Sequence, residues 1–334
     1  MSSSPKKILH TEKPTNSYLN KVLPKNINSW LVSLRGSKNH LDPRRPYGIS
    51  SEKEVDSQGN LIDTNIIFLT NSECPYRCLM CDLWKNTLDS RMVAGNIPYQ
   101  MEWALERLQP SEHLKLYNNG NFFDRRAILP SDYNSIKRII SSFKILTIEN
   151  HPDLTDHHIL SFKDGLAPSL EIAMGLETVN EEVLPLLNKK MTLVAFEKAT
   201  RFLIDNDINV RAFILLRPPF LTEEEGVVWA KKSIDFAFNI GIECCSIIPT
   251  RPGNGAIEWL ESKGRFQKPT LASLEDVLVY GLQKGQGRVL ADLWDLNIFS
   301  TCSGCYRERY ERLKAMNLSQ QPLPPASFTC ECTR

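Results

Sequence analysis

The sequence predicts an α/β fold, a partial (β/α)6 barrel of the TIM type, on two observations. From about residue 64 onward, short runs of β-branched and aliphatic residues alternate with longer amphipathic stretches. This pairing of a strand with a helix recurs six times along the chain. Strands that alternate with helices pair in parallel, because a helix provides the crossover connection that parallel strands need.

Each predicted strand is bounded by polar or turn-forming residues. The strands are predicted at 65–70, 114–117, 145–148, 170–174, 210–216 and 244–248. The helices are predicted near 97–108, 131–141, 154–164, 192–206, 222–239 and 272–284. Within one of them, Phe196, Ala199 and Leu203 have the spacing of a helix that packs on a sheet. The barrel is predicted over 61–290, after an N-terminal extension at 1–60 and before a small cysteine-containing module at 291–334.

Length and composition are those of an ordinary globular protein. The chain has 334 residues, of which 42% are hydrophobic and 24% charged, enough to bury a barrel-sized core. It contains no run of about 18 uncharged apolar residues, the length that a membrane-spanning helix requires. No apolar stretch follows Lys6 and Lys7, as a secretory signal would need. We therefore expect a cytoplasmic protein without a membrane partner, and the sequence does not indicate its oligomeric state.

The net charge of +1 is unevenly distributed along the chain. Residues 1–50 contain nine lysines and arginines, with Glu12 and Asp42 as the acidic residues. Tyr18, Trp30 and Tyr47 lie among these bases, as in a segment that binds nucleic acid. The alternative is a solvated extension that lies over the barrel.

Seven of the nine cysteines fall in closely spaced groups, which in a long chain without a secretory signal indicates metal sites rather than disulfides. Cys74, Cys78 and Cys81 form a C-x3-C-x2-C motif just past the end of the first predicted strand. In α/β barrels, ligand chemistry gathers at the carboxyl ends of the strands. Three thiolates this close can hold one cubic 4Fe-4S cluster and leave its fourth iron open. The alternative is a zinc site that takes a fourth ligand from elsewhere in the chain.

This motif, together with segments at later strand ends, resembles the radical S-adenosylmethionine (SAM) superfamily over roughly residues 60–250. The matching segments are Y-N-N-G-N-F-F-D at 117–124, G-L-E-T at 175–178, L-R-P-P-F-L-T-E-E at 216–224 and I-P-T-R-P-G-N-G at 248–255. The set looks most like the Elp3/MiaB/NifB-type proteins, and more narrowly like the radical SAM subunit of archaeosine synthase. Met80 stands where the superfamily usually has an aromatic residue before the third cysteine.

The resemblance implies that SAM binds the open iron of the cluster and that a donor such as flavodoxin or ferredoxin supplies an electron. SAM is then cleaved to methionine and a 5′-deoxyadenosyl radical, which abstracts hydrogen from a substrate. The loop at 118–121 would contact the SAM amino group, the Glu177 segment the ribose and methionine, and the Pro249 segment the adenine. The residues implied in SAM binding are Met80, Asn118, Asn119, Gly120, Asn121, Glu177, Thr178, Arg211, Pro249 and Arg251.

The loops at the strand ends also have a purely structural interpretation. Gly120 can end a strand, and Glu177 can cap a helix that begins near Asn180. Glu149 and His151, after the third predicted strand, fit a turn. Their occurrence at successive strand ends favours a shared site.

A second group of cysteines lies near the end of the sequence, as Cys302-x2-Cys305 and Cys330-x-Cys332 around a basic helical stretch. Four thiolates in two close pairs suit a structural zinc ion or an auxiliary 4Fe-4S cluster. The alternative is a set of free or redox-active thiols.

Two other enzyme classes are excluded by missing motifs. No glycine-rich loop follows the first strand, as a Rossmann-type methyltransferase requires, and there is no G-x4-G-K-[ST] phosphate-binding loop. The rival interpretation is a non-catalytic iron–sulfur or zinc protein that binds nucleic acid. For the enzyme, the resemblance and the basic segment favour a modified nucleoside in tRNA, while a peptide or a small metabolite stays an alternative. No catalytic side chain is identified from the sequence.

Overall fold

An eight-stranded sheet organises residues 23–325, the part of the chain that the computed structural model describes. The strands are β1 (Gly48–Val55), β2 (Leu61–Phe68), β3 (Asn71–Ser72), β4 (Thr87–Leu88), β5 (His113–Tyr117), β6 (Ile145–Glu149), β7 (Ser169–Glu177), β8 (Asn209–Leu216), β9 (Cys244–Pro249) and β10 (Arg288–Ala291). The helices are α1 (Ile27–Ser33), α2 (Asn96–Leu105), α3 (Tyr133–Ile139), α4 (His157–Lys163), α5 (Leu193–Ile204), α6 (Glu223–Asn239), α7 (Ala256–Ser262), α8 (Leu271–Lys284) and α9 (Ser303–Ser319).

The strand order of the large sheet is β1-β2-β5-β6-β7-β8-β9-β10. All neighbours are parallel except β1, which runs antiparallel to β2. The six predicted strands are β2 and β5 to β9, and a helix follows each of them, so the predicted α/β fold with a partial (β/α)6 barrel is confirmed. β1, which lies inside the predicted N-terminal extension, and β10 add a strand at each edge.

The side chains of each strand point alternately to the two faces of the sheet. Leu114 and Leu116 of β5, like Ile172 and Met174 of β7, belong to the large core that packs against the helices. The residues between them point to the concave face, because successive strand side chains point to opposite sides. The concave face is therefore where polar and aromatic side chains collect.

An ionic layer of buried charges crosses the concave face near the amino ends of the strands. The Arg211 guanidinium lies 2.5 Å from the Glu54 carboxylate and 2.9 Å from that of Glu171. Arg288 reaches the other oxygen of Glu171 at 2.9 Å, and Lys115 lies 2.5 Å from Glu54. Burial opposes the charged form of Glu54, but Arg211 and Lys115 outweigh it and hold the pKa of this carboxyl well below its usual range.

The two edges of the sheet meet, so the partial barrel is nearly closed. Arg288 of β10 donates a hydrogen bond of 2.9 Å to the backbone carbonyl of Val55 in β1. Toward the carboxyl ends, the Trp294 ring after β10 lies 5.8 Å from the Phe68 ring at the end of β2. The sheet thus encloses a lumen with an ionic layer at one end.

Helix α9 covers the outer edge of β10. The Asn317 amide exchanges two hydrogen bonds of 2.8 Å with the backbone of Ala291. Gln320 pairs in the same way with the backbone of Val289, at 2.9 and 3.2 Å. These amides satisfy backbone groups that would otherwise form an exposed strand edge. Among residues 23–325, no helix has the length and apolar character needed to cross a membrane.

Candidate functional site

The cysteine motif lies in the segment that follows β2 and β3, at the carboxyl end of the barrel. Other strand ends hold this segment in place through its backbone. The Leu79 amide donates to the carbonyl of Leu187 at 2.8 Å, and the Asn188 side chain donates to the carbonyl of Arg77 at 2.6 Å. Asn254, after β9, donates to the carbonyl of Leu79 at 2.6 Å. The loops after β7 and β9 therefore fix the loop that carries the cysteines.

Glu73 anchors the start of the same loop to the N-terminal segment. Its carboxylate lies 2.8 Å from Arg35, 2.7 Å from Lys38 and 2.9 Å from Arg77. Burial opposes the charged form of Glu73, but hydrogen bonds from Lys38 and Arg35 dominate and lower its pKa to about 2. The N-terminal segment thus contributes to the site through the residue directly before Cys74.

The stacked rings of Tyr76 and His151 provide a third anchor. Their centroids are 3.9 Å apart at an angle of 12°, and Tyr76 lies between the first two cysteines in sequence. His151 is fixed in turn by the backbone carbonyl of Lys189 at 3.0 Å and by the backbone amide of Asp153 at 3.1 Å. Burial lowers the pKa of His151 to about 4, so this ring is neutral near pH 7.

The three thiols are desolvated. Burial raises the pKa of Cys78 to about 12, against a lowering effect of the nearby Lys189 ammonium, and it raises the pKa values of Cys74 and Cys81 as well. Nowhere in residues 23–325 do three His, Cys, Asp or Glu side chains form a group that could hold one metal ion.

The predicted loop at 118–121 lies against the first cysteine. A Cβ atom placed on Gly120 would lie 3.2 Å from the Cβ of Cys74, so a larger residue here would crowd the cysteine. The Asn121 amide lies 3.3 Å from the Cys74 sulfur. Asn119 is occupied structurally, because it accepts from the Tyr47 hydroxyl at 2.7 Å and donates to the backbone of Asn86 at 3.0 Å.

Asn118 differs from its neighbours in the loop. Its side chain is completely buried, and neither its oxygen nor its nitrogen has a hydrogen-bond partner among the described residues. Buried polar atoms are rarely left in this state, since an unmade hydrogen bond costs about 1–3 kcal/mol. Three further atoms of this kind follow the ends of β2 and β6: Thr70 Oγ1, Asn71 Oδ1 and Asn150 Oδ1. The carboxyl ends of β2, β5 and β6 therefore gather polar atoms that a ligand could satisfy.

Glu149 holds the backbone of this loop from the end of β6. Its Oε2 atom accepts a hydrogen bond of 3.0 Å from the backbone amide of Asn118. Burial raises the pKa of Glu149 to about 7, although backbone amides of Asn118 and Gly120 and the charge of Lys189 favour its ionised form. The sequence assigned Glu149 to a turn, and its position at a strand end was the signal that it faces the site.

Glu177 and Lys189 form a buried ion pair, 2.5 Å apart, at the end of β7. Glu177 has a left-handed backbone with φ = 63°, at the bulge where β7 pairs irregularly with β8. A non-glycine residue in this conformation is strained, a condition that is common at binding sites. Lys189 was missed from the sequence because its proximity to Cys78 arises only in the fold.

The other predicted SAM-binding residues occupy different places. Thr178 is buried, and its hydroxyl accepts from the Asn180 amide at 3.2 Å. Arg211 lies in the ionic layer, Pro249 is buried at the end of β9, and Arg251 is paired with Asp292 at 2.5 Å. Met80 packs on a second apolar cluster with Leu79 and Leu215, among others. The role of these residues in SAM binding stays a prediction.

Of the predicted C-terminal metal group, only one pair falls within the described residues. Cys305 is buried in the first turn of α9, and its sulfur lies 4.0 Å from the backbone oxygen of Cys302. Cys330 and Cys332 lie outside the described residues, as do residues 1–22 of the basic N-terminal segment. A second cluster or zinc ion stays a prediction.

Comparison with known structures first defines the class of fold. No family model matches the chain. The fold is similar to that of methylornithine synthase (PylB), with 14% identity, a TM-score of 0.53 and coverage of 95% of this chain and 85% of that chain. The chain has the partial TIM barrel of the radical SAM proteins.

Sequence comparison gives two narrower similarities. An uncharacterised protein of Methanocaldococcus jannaschii is 24% identical over 346 residues, which cover 94% of this chain and 93% of that protein. Archaeosine synthase subunit beta of Thermococcus kodakarensis is 27% identical over 226 residues, 64% of this chain and 69% of that protein. The predicted resemblance to the radical SAM superfamily, and within it to the radical SAM subunit of archaeosine synthase, is confirmed.

Proposed function

We propose that this protein is a radical SAM enzyme whose 4Fe-4S cluster is held by Cys74, Cys78 and Cys81. With the cluster and SAM bound, reduction cleaves SAM to methionine and a 5′-deoxyadenosyl radical that abstracts hydrogen from the substrate. The proposal rests on one observation, the meeting of a three-thiol loop with a set of buried, unsatisfied polar atoms at the ends of β2, β5 and β6.

The donor set fits an iron–sulfur cluster with one open position. Iron–sulfur cubes prefer thiolate ligands, and the loop offers three of them within eight residues. Gly120 brings a second loop within van der Waals contact of Cys74, so a ligand on the open iron would meet the loop at 118–121. A structural zinc ion would instead need a fourth protein ligand close to the three thiols.

Two groups of opposite charge suit the α-amino acid part of SAM. The Glu149 carboxylate can accept hydrogen bonds from the amino group of SAM, and it already accepts one from the backbone amide of Asn118. Lys189 lies close enough to Cys78 and Cys74 for its charge to act on them, and it can attract the carboxylate of SAM. Its ion pair with Glu177 holds the lysine in place. These residues bind and orient the cofactor, and the apolar cluster around Leu79 and Met80 excludes water from it.

A modified nucleoside in tRNA is the substrate class we favour, since relatives of this chain carry the name archaeosine synthase subunit beta. A row of arginine side chains stacked on aromatic rings (Arg44, Arg45, Arg107, Tyr99 and Trp103), called the surface ladder below, favours RNA as a partner. The Arg44 guanidinium lies 4.0 Å above the Tyr99 ring, Arg45 lies 5.1 Å from the Trp103 ring, and Arg107 lies 4.0 Å from the same ring. Arginine and aromatic side chains together bind phosphates and unstacked bases.

An acidic electron donor such as flavodoxin or ferredoxin is the second partner we propose. An open polar cavity of about 360 Å³ borders Cys74. Arg77, Arg91 and Arg126 line it together with Glu73 and Asp89, so arginines outnumber carboxylates there, which favours an acidic protein surface as the partner. Such reductants belong to the cytoplasm, where we place this protein.

Anaerobic reconstitution tests the proposal. The intact chain is expected to bind about four irons at the motif and, once reduced with dithionite, to form 5′-deoxyadenosine and methionine from SAM. The Cys74→Ala/Cys78→Ala/Cys81→Ala variant should lose this cluster and the reaction, whereas Cys244→Ala, a buried cysteine of β9, should keep both. Full iron content in the triple variant would disprove the assignment. A bound cluster that never cleaves SAM, or S-adenosylhomocysteine as the sole product, would contradict the radical reaction.

A further inference from the structure

Residues 26–47 cross the carboxyl end of the barrel and are called the strap below. Helix α1 lies at the start of the strap, and Tyr47, at its end, donates a backbone hydrogen bond of 2.9 Å to Phe68 at the end of β2. Between them, the Leu34 carbonyl lies against Gly255 in the loop after β9, where a Cβ atom would come within 2.0 Å of the carbonyl oxygen. Glycine alone allows this approach, and its φ of 84° also favours glycine. The strap thus reaches from the loop after β9 to the first strands of the sheet.

Helix α1 supports the cysteine motif. Leu31 is buried in the second apolar cluster, which also contains Leu79, a residue within the motif. Asn28 accepts a hydrogen bond of 2.9 Å from the Asn188 side-chain amide. The same amide donates its other hydrogen bond, of 2.6 Å, to the backbone carbonyl of Arg77. The strap and the motif therefore share an apolar cluster and a hydrogen-bonded amide.

Glu73 joins the strap to the motif through charge. One oxygen of its carboxylate lies 2.8 Å from Arg35 and 2.9 Å from Arg77, and the other oxygen lies 2.7 Å from Lys38. Arg35 and Lys38 belong to the strap, whereas Arg77 lies between the first two cysteines. All four side chains are mostly buried, so water screens these ion pairs less than it does on an open surface. The strap is thus tied to the residue that directly precedes Cys74.

Further contacts tie the strap to the segment that follows the motif. The Arg35 guanidinium lies 4.7 Å from the Trp84 ring. The Asn39 backbone amide donates to the carbonyl of Lys85 at 2.9 Å, and the Asn39 side chain donates to that of Asn86 at 2.6 Å. The strap is therefore held on both sides of the cysteines in sequence.

The basic residues of the strap fall into two groups. Arg35 and Lys38 are paired with Glu73, inside the protein. Arg44 and Arg45 stack instead on the aromatic rings of the surface ladder. The N-terminal segment thus contacts the cysteine motif with one group and forms the surface ladder with the other.

We propose that the strap holds the cysteine motif in the geometry that retains a bound cluster, with Glu73 as the positioning residue, an inference that rests on the proposed function. A loop that carries three ligands retains its metal group only while it stays ordered, and contacts behind the ligands supply this order. Glu73 orders Cys74, the residue that follows it, and its ion pair with Arg77 extends that order toward Cys78.

Hydrogen exchange in the full-length protein before reconstitution tests the ordering of the loop without any cluster. Glu73→Gln should speed the exchange of the backbone amides at 74–82 about tenfold, because exchange there follows local opening of the loop and the variant loses charge-assisted hydrogen bonds. Asp63→Asn is the matched control, since it removes an exposed ion pair with Lys53 between β1 and β2. Exchange at 74–82 should stay within about twofold in this control. Unchanged exchange in Glu73→Gln would overturn the proposal, whatever reaction the protein catalyses.

Release of iron to a chelator from the reconstituted protein tests cluster retention. Glu73→Gln and Arg35→Gln should each release iron about tenfold faster than the native protein, while the melting temperature changes by no more than about 4 °C. The double variant should release iron about as fast as either single variant, because both changes break the same contact. Effects that multiply to about a hundredfold would show that Arg35 and Glu73 act separately, and native release rates in both variants would remove the strap from cluster retention. A native protein that takes up no iron at the motif would contradict the proposed function, and the exchange measurement would still decide whether Glu73 orders the loop.

Discussion

Buried polar side chains have partners at one end of the concave face and lack them at the other. In the ionic layer, Arg211, Glu54 and Glu171 are buried, and each makes several charged contacts. At the carboxyl ends of the strands, Asn118 is as deeply buried but has no side-chain partner among the described residues. A buried polar group without a partner costs stability unless a ligand or an ordered water satisfies it, and the position of Asn118 beside the cysteine loop favours a ligand. The comparison separates residues that stabilise this barrel from residues that serve its site.

The largest effect is expected from the ionic layer. Arg211→Met should lower the free energy of unfolding by about 3–5 kcal/mol, because it leaves two buried carboxylates without their main cation. Urea denaturation followed by circular dichroism measures this change. If Arg211→Met stays folded and stable but loses SAM, the sequence-based assignment of Arg211 to cofactor binding would be right and the structural role wrong.

At the carboxyl ends of the strands, we expect a substitution to affect ligand binding rather than stability. Asn118→Ala should change the free energy of unfolding by no more than about 1 kcal/mol, since the side chain makes no hydrogen bond to lose. The dissociation constant of SAM should rise about tenfold, as expected for one lost hydrogen bond to a polar ligand. Asn119→Ala is the matched control for the loop itself. Unchanged SAM binding in Asn118→Ala would mean that these atoms are satisfied in another way.

A smaller, pH-dependent effect is expected from Glu149. Its raised pKa of about 7 means that the ligand-free protein binds a proton there that the unfolded chain would release, so this contribution to stability is lost as the pH rises toward 7. Lys189 is the charged group that acts on this carboxyl, and the Glu149 charge in turn raises the pKa values of Tyr47 and Tyr117. N–H groups of SAM that donate to Glu149 favour the ionised carboxylate, so SAM should bind more weakly below pH 7, and the Glu149 proton should be released on binding.

Calorimetry in two buffers of different ionisation enthalpy measures that proton. Near pH 6.5 the native protein should release more protons when SAM binds than Glu149→Gln does, and the difference, a fraction of a proton, is the contribution of Glu149. Equal proton release in both proteins would assign the effect to another group.

The parts of the fold that the sequence predicted are those with a local signature. The six strands and the cysteine loop are encoded by short runs of residues, and a β/α alternation needs no distant information. β1 was missed because Glu52, Lys53 and Glu54 make it resemble a surface segment. Glu54 is tolerated there because Arg211, 157 residues away in sequence, and Lys115 neutralise it.

The same limit applies to the site. Cys74, Cys78 and Cys81 are recognisable from their spacing, whereas Lys189 and Asn254 reach the cysteine loop through tertiary contacts. The loop at 118–121, predicted to contact SAM, lies beside Cys74 in the structure, and its four residues have different surroundings. Only the structure distinguishes Asn118, whose side chain is unsatisfied, from Asn119, whose side chain is fully engaged.

The seam between β1 and β10 has a consequence for how the protein folds. Arg288 joins Val55 across a sequence separation of 233 residues, and the same arginine completes the charge balance around Glu54 and Glu171. During synthesis, a nascent chain carries these carboxylates long before residue 288 leaves the ribosome. Contacts between such distant residues form slowly, because a long loop must close first. Barrel closure is therefore a late event in folding, and truncation before β10 leaves β9 as an uncovered sheet edge that invites association with other chains.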